Sequence, residues 1–136
     1  MIVGMTRRLG ALALLVVGGV HLQQYLGGGY NAIPTIGPLF LLNAISAAVV
    51  GVALLAPLHR LMRDTRADLA VGILAAAGAA IAIGSLVALY VSETGTLFGF
   101  AENGFAPPIV IAIVAEVATL ALLGPVTAIS KPPWTP

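Results

Sequence analysis

The sequence lacks cysteine and has few charged residues. Without cysteine the chain has no disulfide, thiolate nucleophile, iron–sulfur site or CxxC redox pair, which excludes thiol-based oxidoreductase chemistry. Charged residues make up only 8% of the 136 residues, and hydrophobic residues make up 60%. A mean hydropathy of +1.07 lies far outside the range of soluble domains and indicates an integral membrane protein. A net charge of +1, with no large basic patch, argues against nucleic acid as a partner.

Long runs without charge predict the membrane spans. Asp, Glu, Lys and Arg are absent from Leu9 to Leu58 and from Leu69 to Ser92. The first run is divided by Gly27-Gly28-Gly29 and Pro34, and Pro107-Pro108 open a last apolar segment, since proline suits the first turn of a helix. A crossing needs about 20 residues. The predicted helices of this single domain, residues 1–136, are therefore about 9–26, 38–58, 69–92 and 107–129.

The expected fold follows from the lipid that surrounds the predicted spans. Lipid cannot hydrogen-bond to backbone groups, so each span should be helical. A transmembrane barrel would need strands of alternating polarity, whereas these segments are apolar all round. We expect an all-α, polytopic four-transmembrane-helix bundle with no catalytic domain outside the bilayer.

The cations predict the orientation in the membrane. With four spans they all fall at one end of the bundle: Arg7, Arg8, Arg60, Arg63, Arg66 and Lys131. The positive-inside rule makes that end, and both termini, cytoplasmic in a plasma membrane, with Trp134 near the interface. The opposite loops carry only Glu93 and Glu102. A cleaved secretory signal is the alternative for the N-terminus, but no small-x-small site follows the apolar run convincingly.

Small residues predict how the helices pack, because membrane helices associate through close backbone approach and a few polar contacts. On the third helix small residues recur every four positions and form what we call the small-residue stripe: Gly72, Ala76, Ala80, Gly84 and Ala88. We expect the stripe to pack within the bundle, with a homodimer seam as the alternative. Weaker patterns occur on the first two helices, at Gly10, Gly18 and Gly19 and at Ala44, Ala47, Ala48 and Gly51.

Four polar residues at membrane depth form a predicted polar cluster: His21, Asn43, Ser85 and Glu116. At a helical rise of about 1.5 Å per residue, all four lie roughly 9 to 12 Å below the outer surface. A carboxylate at this depth is unfavourable by several kcal/mol unless it is paired, hydrated or protonated. We therefore expect Glu116 to face inward, with His21 as its partner and Asn43 donating through its amide.

The polar cluster has several interpretations. It could be a buried hydrogen-bond network that fixes the register of the helices, a proton or cation relay, or a site for a small polar ligand or lipid headgroup. In the last case Gln23 and four further residues would form the outer mouth of the pocket: Gln24, Tyr25, Tyr30 and Glu102.

Familiar catalytic and cofactor sites do not match the sequence. His21 and His59 lie toward opposite ends of the bundle, which argues against bis-histidine haem ligation. A metal at His21 and Glu116 would have only two good ligands. The sequence has no GxSxG, HExxH or P-loop pattern, and Gly27-Gly28-Gly29 is a turn. We expect no metal, no cofactor and no enzymatic activity.

Particular residues carry a resemblance to a group of short four-span membrane proteins from actinobacteria, whose function is unassigned. They are His21, Tyr30, Ile33-Pro34, Gly37, Leu39-Phe40-Leu41-Leu42-Asn43, Leu97-Phe98-Gly99-Phe100 and Ala115-Glu116. The resemblance implies a four-span fold and no activity or ligand. The chain also looks like small multidrug resistance transporters, four-helix dimers with one membrane glutamate. In those proteins the glutamate lies on the first helix, whereas here it lies on the fourth.

Three functions are compatible with these features. The leading hypothesis is a non-enzymatic accessory or binding subunit of a larger membrane assembly. The first alternative is a small homodimeric proton-coupled transporter with Glu116 as carrier, and the second is a lipid- or quinone-binding protein.

Overall fold

The structure, a computed structural model, describes residues 2–129. Its helices are α1 (Ile2–Gly27), α2 (Ile36–Leu55), α3 (Leu58–Leu61), α4 (Asp64–Thr94) and α5 (Pro107–Ile129), with a 3-10 turn at Tyr30–Ala32. The four helices α1, α2, α4 and α5 are long and apolar enough to cross a membrane. Within the described range the only extended pairing is an isolated bridge between Leu97 and Phe100. The predicted all-α bundle of four membrane-spanning helices is confirmed.

The helix bounds differ from the predicted ones at the charged end of the bundle. Helices α1 and α4 begin at Ile2 and Asp64 rather than at residues 9 and 69, because a helix can continue beyond the lipid. Helix α2 ends at Leu55 rather than 58. The next residue, Ala56, is extended with ψ 147°, since the ring of Pro57 disfavours a helical conformation before it. The short helix α3 was not predicted.

The four long helices form a ring in the order α1, α2, α4, α5. Helix α1 packs along α2 and α5, and α4 packs along α5, while α2 and α4 have a smaller contact. We call the end with Arg7, Arg60 and Arg63 the basic end, and the end with Glu93 and Glu102 the acidic end. The predicted positions of Lys131 and Trp134 lie outside the described residues.

The tightest helix packing occurs between α1 and its neighbours. A Cβ atom added to Gly18 would lie 3.1 Å from the carbonyl oxygen of Ala44 and from Cβ of Ala47. A Cβ atom on Gly10 would lie 2.5 Å from the side chain of Leu123. The glycines therefore permit a backbone approach that a side chain would prevent. Gly19, in contrast, has open space beside it.

The small-residue stripe does not pack as predicted. Ala76, Ala80 and Gly84 are exposed, and a Cβ atom on Gly84 would meet nothing within 4 Å. The buried residues of α4 are instead Ala67, Val71, Ala75, Gly78, Ala82 and Ser92. A four-residue repeat moves about 40° around an α-helix at each step, so a stripe of five such residues cannot stay on one packed face. Intramolecular packing of the whole stripe was wrong.

Candidate functional site

A cavity of about 410 Å³ lies between the four long helices in the half of the bundle nearer the acidic end. Its volume falls within the roughly 300–1,000 Å³ typical of small-molecule pockets. The clearly exposed helical residues of its wall are Leu39 and Leu42 on α2 and Ala80 and Gly84 on α4. The cavity is therefore open sideways, between α2 and α4, toward the lipid. We call it the lateral cavity.

Two loop segments cover the acidic end of the lateral cavity. The phenol of Tyr30 donates a 2.5 Å hydrogen bond to Oε2 of Glu102. Phe100 contacts Tyr30 edge-on at 5.8 Å, and the amide of Glu102 donates to the carbonyl of Ser92. Burial, together with the Glu102 carboxylate, raises the pKa of Tyr30 above its usual range, so the phenol stays protonated and remains a donor. These contacts tie the 3-10 turn to the loop between α4 and α5.

The other end of the lateral cavity is closed by an apolar core. Leu14, Leu54 and Leu123 have no exposed surface, and Ala75 and Val126 pack with Leu54 and Leu123. A Cβ atom added to Gly78, in the same region, would lie 2.8 Å from Leu123 and 3.1 Å from Leu14. Tightly packed apolar side chains therefore fill this region of the described bundle.

His21 lies at the back of the cavity with its ring oriented by two contacts. Its Nδ1 is 2.9 Å from the carbonyl oxygen of Val17, one turn earlier on α1. Because a carbonyl can only accept, Nδ1 carries a proton. Its Nε2 is 3.1 Å from the hydroxyl oxygen of Ser85 on α4. The imidazole is thus fixed between two helices, and the serine hydroxyl is within reach of its second nitrogen.

Ser85 lies beside both His21 and Glu116. Its hydroxyl oxygen is 3.1 Å from Nε2 of His21, and it is also a neighbour of the Glu116 carboxyl. Glu116 is only 1% exposed, although it lines the cavity. Two titratable side chains and one hydroxyl therefore meet in the wall of the cavity.

This arrangement differs from the predicted one in two respects. His21 contacts Ser85, where a direct pair of His21 with Glu116 was predicted. Asn43 does not donate to Glu116 by any hydrogen bond recorded among the described residues, although it lines the same cavity. Instead, Oε1 of Glu116 and Oδ1 of Asn43 are both buried without a hydrogen-bond partner among residues 2–129. Two acceptors in the wall of the cavity are therefore unsatisfied, an unfavourable state for buried polar atoms.

An aromatic wall lies beside the polar cluster. Phe40 stacks on Tyr30 with ring centroids 4.4 Å apart, and its ring is 4.9 Å from the ring of His21. Sequence reasoning did not select Phe40 or Phe100 as site residues. One signal was available for Phe40, since it precedes Asn43 by three residues and so lies on the same face of α2. Phe100 lies in a loop, where no periodicity predicts its orientation.

The predicted outer mouth is only partly found. Gln24, Tyr30 and Glu102 line the lateral cavity, whereas Tyr25 and Gln23 are not among its described lining residues. Successive residues are rotated by about 100° on a helix. The cavity lies on the side of His21 that holds Val20 and Gln24, and Tyr25 lies on the other side.

The site can be set against known chemistry and known proteins. The described residues contain no group of three or more His, Cys, Asp or Glu side chains that could hold a metal ion. No protein-family model, curated protein or solved structure matches the chain. The resemblance to actinobacterial four-span proteins therefore stays a hypothesis.

Proposed function

We propose that the protein is a non-enzymatic intramembrane binding protein for a small amphipathic molecule that it takes up sideways from the lipid. The observation that carries this proposal is a lateral cavity, open between α2 and α4, with the buried polar cluster in its wall. The proposal joins the hypothesis of a binding subunit with that of a lipid-binding protein.

The chemistry of the walls supports this function. Most of the cavity surface comes from aliphatic and aromatic side chains such as Leu39, Ile81 and Phe40. A few polar groups, His21, Ser85 and Glu116, converge at one place. Ligand sites have this composition, because the apolar walls contribute most of the binding free energy and the polar groups fix the orientation.

The closed ends support binding over transport. The Tyr30–Glu102 contact covers one end, and the packed leucines Leu14, Leu54 and Leu123 fill the other. Proton-coupled transport is the second candidate, and the presence of two titratable side chains, His21 and Glu116, around Ser85 favours it. Transport would require the leucine core to open, and a proton-linked current in reconstituted membranes that disappears in Glu116→Gln would establish it.

Photo-crosslinking in liposomes tests the proposed function. The probe is a long-chain alcohol or amine with a diazirine in its chain, and the sites of attachment are mapped by mass spectrometry. We expect adducts on the α2 and α4 residues that line the cavity. Gly84→Trp should abolish them, because its ring would project into the open space beside position 84. Gly19→Trp, which also enters open space but lies outside the lining, is the matched control. Equal labelling of both variants and the unmodified chain would disprove the proposal.

The basic end is proposed to be cytoplasmic, on the strength of the positive-inside rule. Because the chain has no cysteine, single cysteines can be introduced without background. Asn103→Cys, in the loop at the acidic end, should react with a membrane-impermeant maleimide on intact cells. Thr65→Cys, exposed at the basic end, should react only after lysis. The reverse pattern would show the opposite orientation. Membership of a larger assembly stays a prediction, tested by co-purification in mild detergent.

A further inference from the structure

Resting on the proposed function, we infer that the molecule bound in the lateral cavity is a lipophilic amine, whose ammonium group binds the carboxylate of Glu116. The hydrocarbon part of such a molecule would occupy the apolar walls and the opening between α2 and α4. Four features of the described residues support this assignment: the charge around the cavity, the unsatisfied acceptors, the aromatic wall and the absence of any partner for an anion.

The charge around the cavity is negative. Glu102 and Glu116 line it, and Glu93 lies on the last turn of α4, next to the lining residue Ser92. The sequence has no Lys or Arg from Leu9 to His59 or from Ala67 to Ser130. His21 is the only basic side chain among the described lining residues. A cation entering the cavity therefore meets carboxylates with no fixed cation to repel it.

The unsatisfied acceptors call for a ligand with hydrogen-bond donors. Oε1 of Glu116 and Oδ1 of Asn43 are buried and lack partners among the described residues. A primary ammonium group has three N–H donors and no acceptor. Binding would satisfy Oε1 with a charge-assisted hydrogen bond. A ligand that only accepts hydrogen bonds would leave the acceptors as they are.

The aromatic wall is suited to a cation. The rings of Tyr30, Phe40 and Phe100 all line the cavity. The face of an aromatic ring attracts a cation within about 6 Å of its centroid, and the attraction is stronger where water is excluded. The rings thus offer a cation inside the cavity favourable contacts in addition to the Glu116 carboxylate.

The same charge distribution decides between two sources of an amine. An aminophospholipid such as phosphatidylethanolamine would bring a phosphate next to its ammonium group. The cavity has no Lys or Arg to bind that phosphate, and Glu93 and Glu102 lie at the mouth. The structure therefore favours a free lipophilic amine over a phospholipid headgroup.

A matched pair of probes tests the inference. The diazirine-bearing long-chain amine and the alcohol of equal length differ only in the headgroup. In phosphatidylcholine liposomes we expect the amine to label the cavity residues at least about tenfold more strongly, a ratio equivalent to about 1.4 kcal/mol. Equal labelling by the two probes would overturn the inference and leave the proposed function intact. Labelling by neither would overturn both.

Variants of individual carboxylates show which residue gives the preference for the amine over the alcohol. Glu116→Gln keeps the size of the side chain and removes its charge, so amine labelling should fall to the level of the alcohol. Asp64→Asn removes an exposed carboxylate at the basic end, outside the described cavity lining, and this matched control should retain the preference for the amine. Adding phosphatidylethanolamine to the liposomes should not reduce amine labelling. If it does, the amine comes from the lipid headgroup and the assignment of a free amine is wrong.

A second measurement uses the unmodified chain and does not depend on how Glu116→Gln folds. A hydrophobic carbodiimide forms an adduct with carboxyl groups at membrane depth, and the adduct on Glu116 can be quantified by mass spectrometry. N,N-Dimethyloctylamine, a cationic tertiary amine that cannot form a stable amide with the activated carboxyl, should protect Glu116 from the reagent, whereas octanol at the same membrane concentration should not. Equal protection by the two compounds, or by neither, would contradict the inferred amine site.

Discussion

The hydroxyl oxygen of Ser85 lies 3.1 Å from Nε2 of His21, although the two residues are 64 positions apart in the chain. The contact joins α4 to α1, two helices that face each other across the ring and otherwise touch little. Glu116 on α5 lies near the same hydroxyl, so polar residues of three helices meet around Ser85.

Replacing Ser85 with alanine should separate His21 from Glu116. We expect Nδ1 of His21 to keep its proton, because it still donates to Val17, while Nε2 loses its hydrogen-bond partner. Nitrogen-15 NMR of labelled histidine should show a shifted Nε2 signal and an almost unchanged Nδ1 signal. The loss in stability should be about 0.5–2 kcal/mol. Ser46→Ala, also in the cavity wall, is the control, and an unchanged Nε2 signal in Ser85→Ala would contradict the contact.

The sequence was sufficient for the fold and for most of the polar cluster. A polar side chain at membrane depth must avoid lipid, so His21, Ser85 and Glu116 could be expected to face the interior before their contacts were known. Depth along each helix then placed them in one layer, because the rise per residue is fixed. Both arguments use the depth of a residue in the membrane. This depth can be estimated from the sequence because the long apolar runs mark where each span begins and ends.

The sequence did not predict which side of each helix faces the interior of the bundle. The small-residue stripe and Tyr25 were placed on the wrong faces, since all sides of these helices are apolar and no hydrophobic periodicity marks the buried face. The contact of His21 with Ser85, rather than with Glu116, was also missed. That contact depends on the distance between α1 and α4, which follows from the packing of specific side chains.

Removing the phenol of Tyr30 should loosen the cover at the acidic end. Tyr30→Phe loses the hydrogen bond to Glu102, and we expect a loss of about 1 kcal/mol in stability because the pair is only partly buried. Tyr25→Phe, outside the cavity lining, is the control. Faster amide hydrogen exchange in the 95–106 loop, measured by mass spectrometry, should accompany the change. Equal exchange in the two variants would show that the bond does not hold the loop.

The raised pKa of Tyr30 also predicts a dependence on alkaline pH. Unfolded tyrosine ionises near pH 10, whereas folded Tyr30 does so at a higher pH. The folded state therefore has its full stabilisation from this group below about pH 10 and loses it as the pH rises toward the folded value. Thermal unfolding in detergent should show a smaller alkaline loss for Tyr30→Phe than for the unmodified chain. Parallel pH profiles would refute this prediction.

Adjacent glycines on α1 test the close packing of α1 and α2. Gly18→Leu would force atoms into a space where even a Cβ lies 3.1 Å from Ala44 and Ala47. Such overpacking costs about 1–3 kcal/mol. Gly19→Leu is the matched control. The two variants have the same amino-acid composition and the positions lie at nearly the same depth, but a Cβ atom at position 19 would meet nothing within 4 Å. Unfolding by a denaturing detergent should be easier for Gly18→Leu alone, and equal stability of the two variants would contradict the packing.

Two alanines on the exposed side of α4 separate access to the cavity from association of two chains. Ala80 lines the lateral cavity, whereas Ala76, one turn away and also exposed, is not among its described lining residues. A leucine at position 80 would narrow the opening between α2 and α4. Ala80→Leu should therefore reduce amine labelling of the cavity residues near Glu116, whereas Ala76→Leu should leave this labelling unchanged. Oligomer size, measured for both variants in mild detergent, tests the homodimer seam at the same time. If the stripe joins two copies, Ala76→Leu should dissociate them without changing the labelling. If Ala76→Leu reduces labelling as much as Ala80→Leu does, entry does not occur through the opening that the exposed residues define.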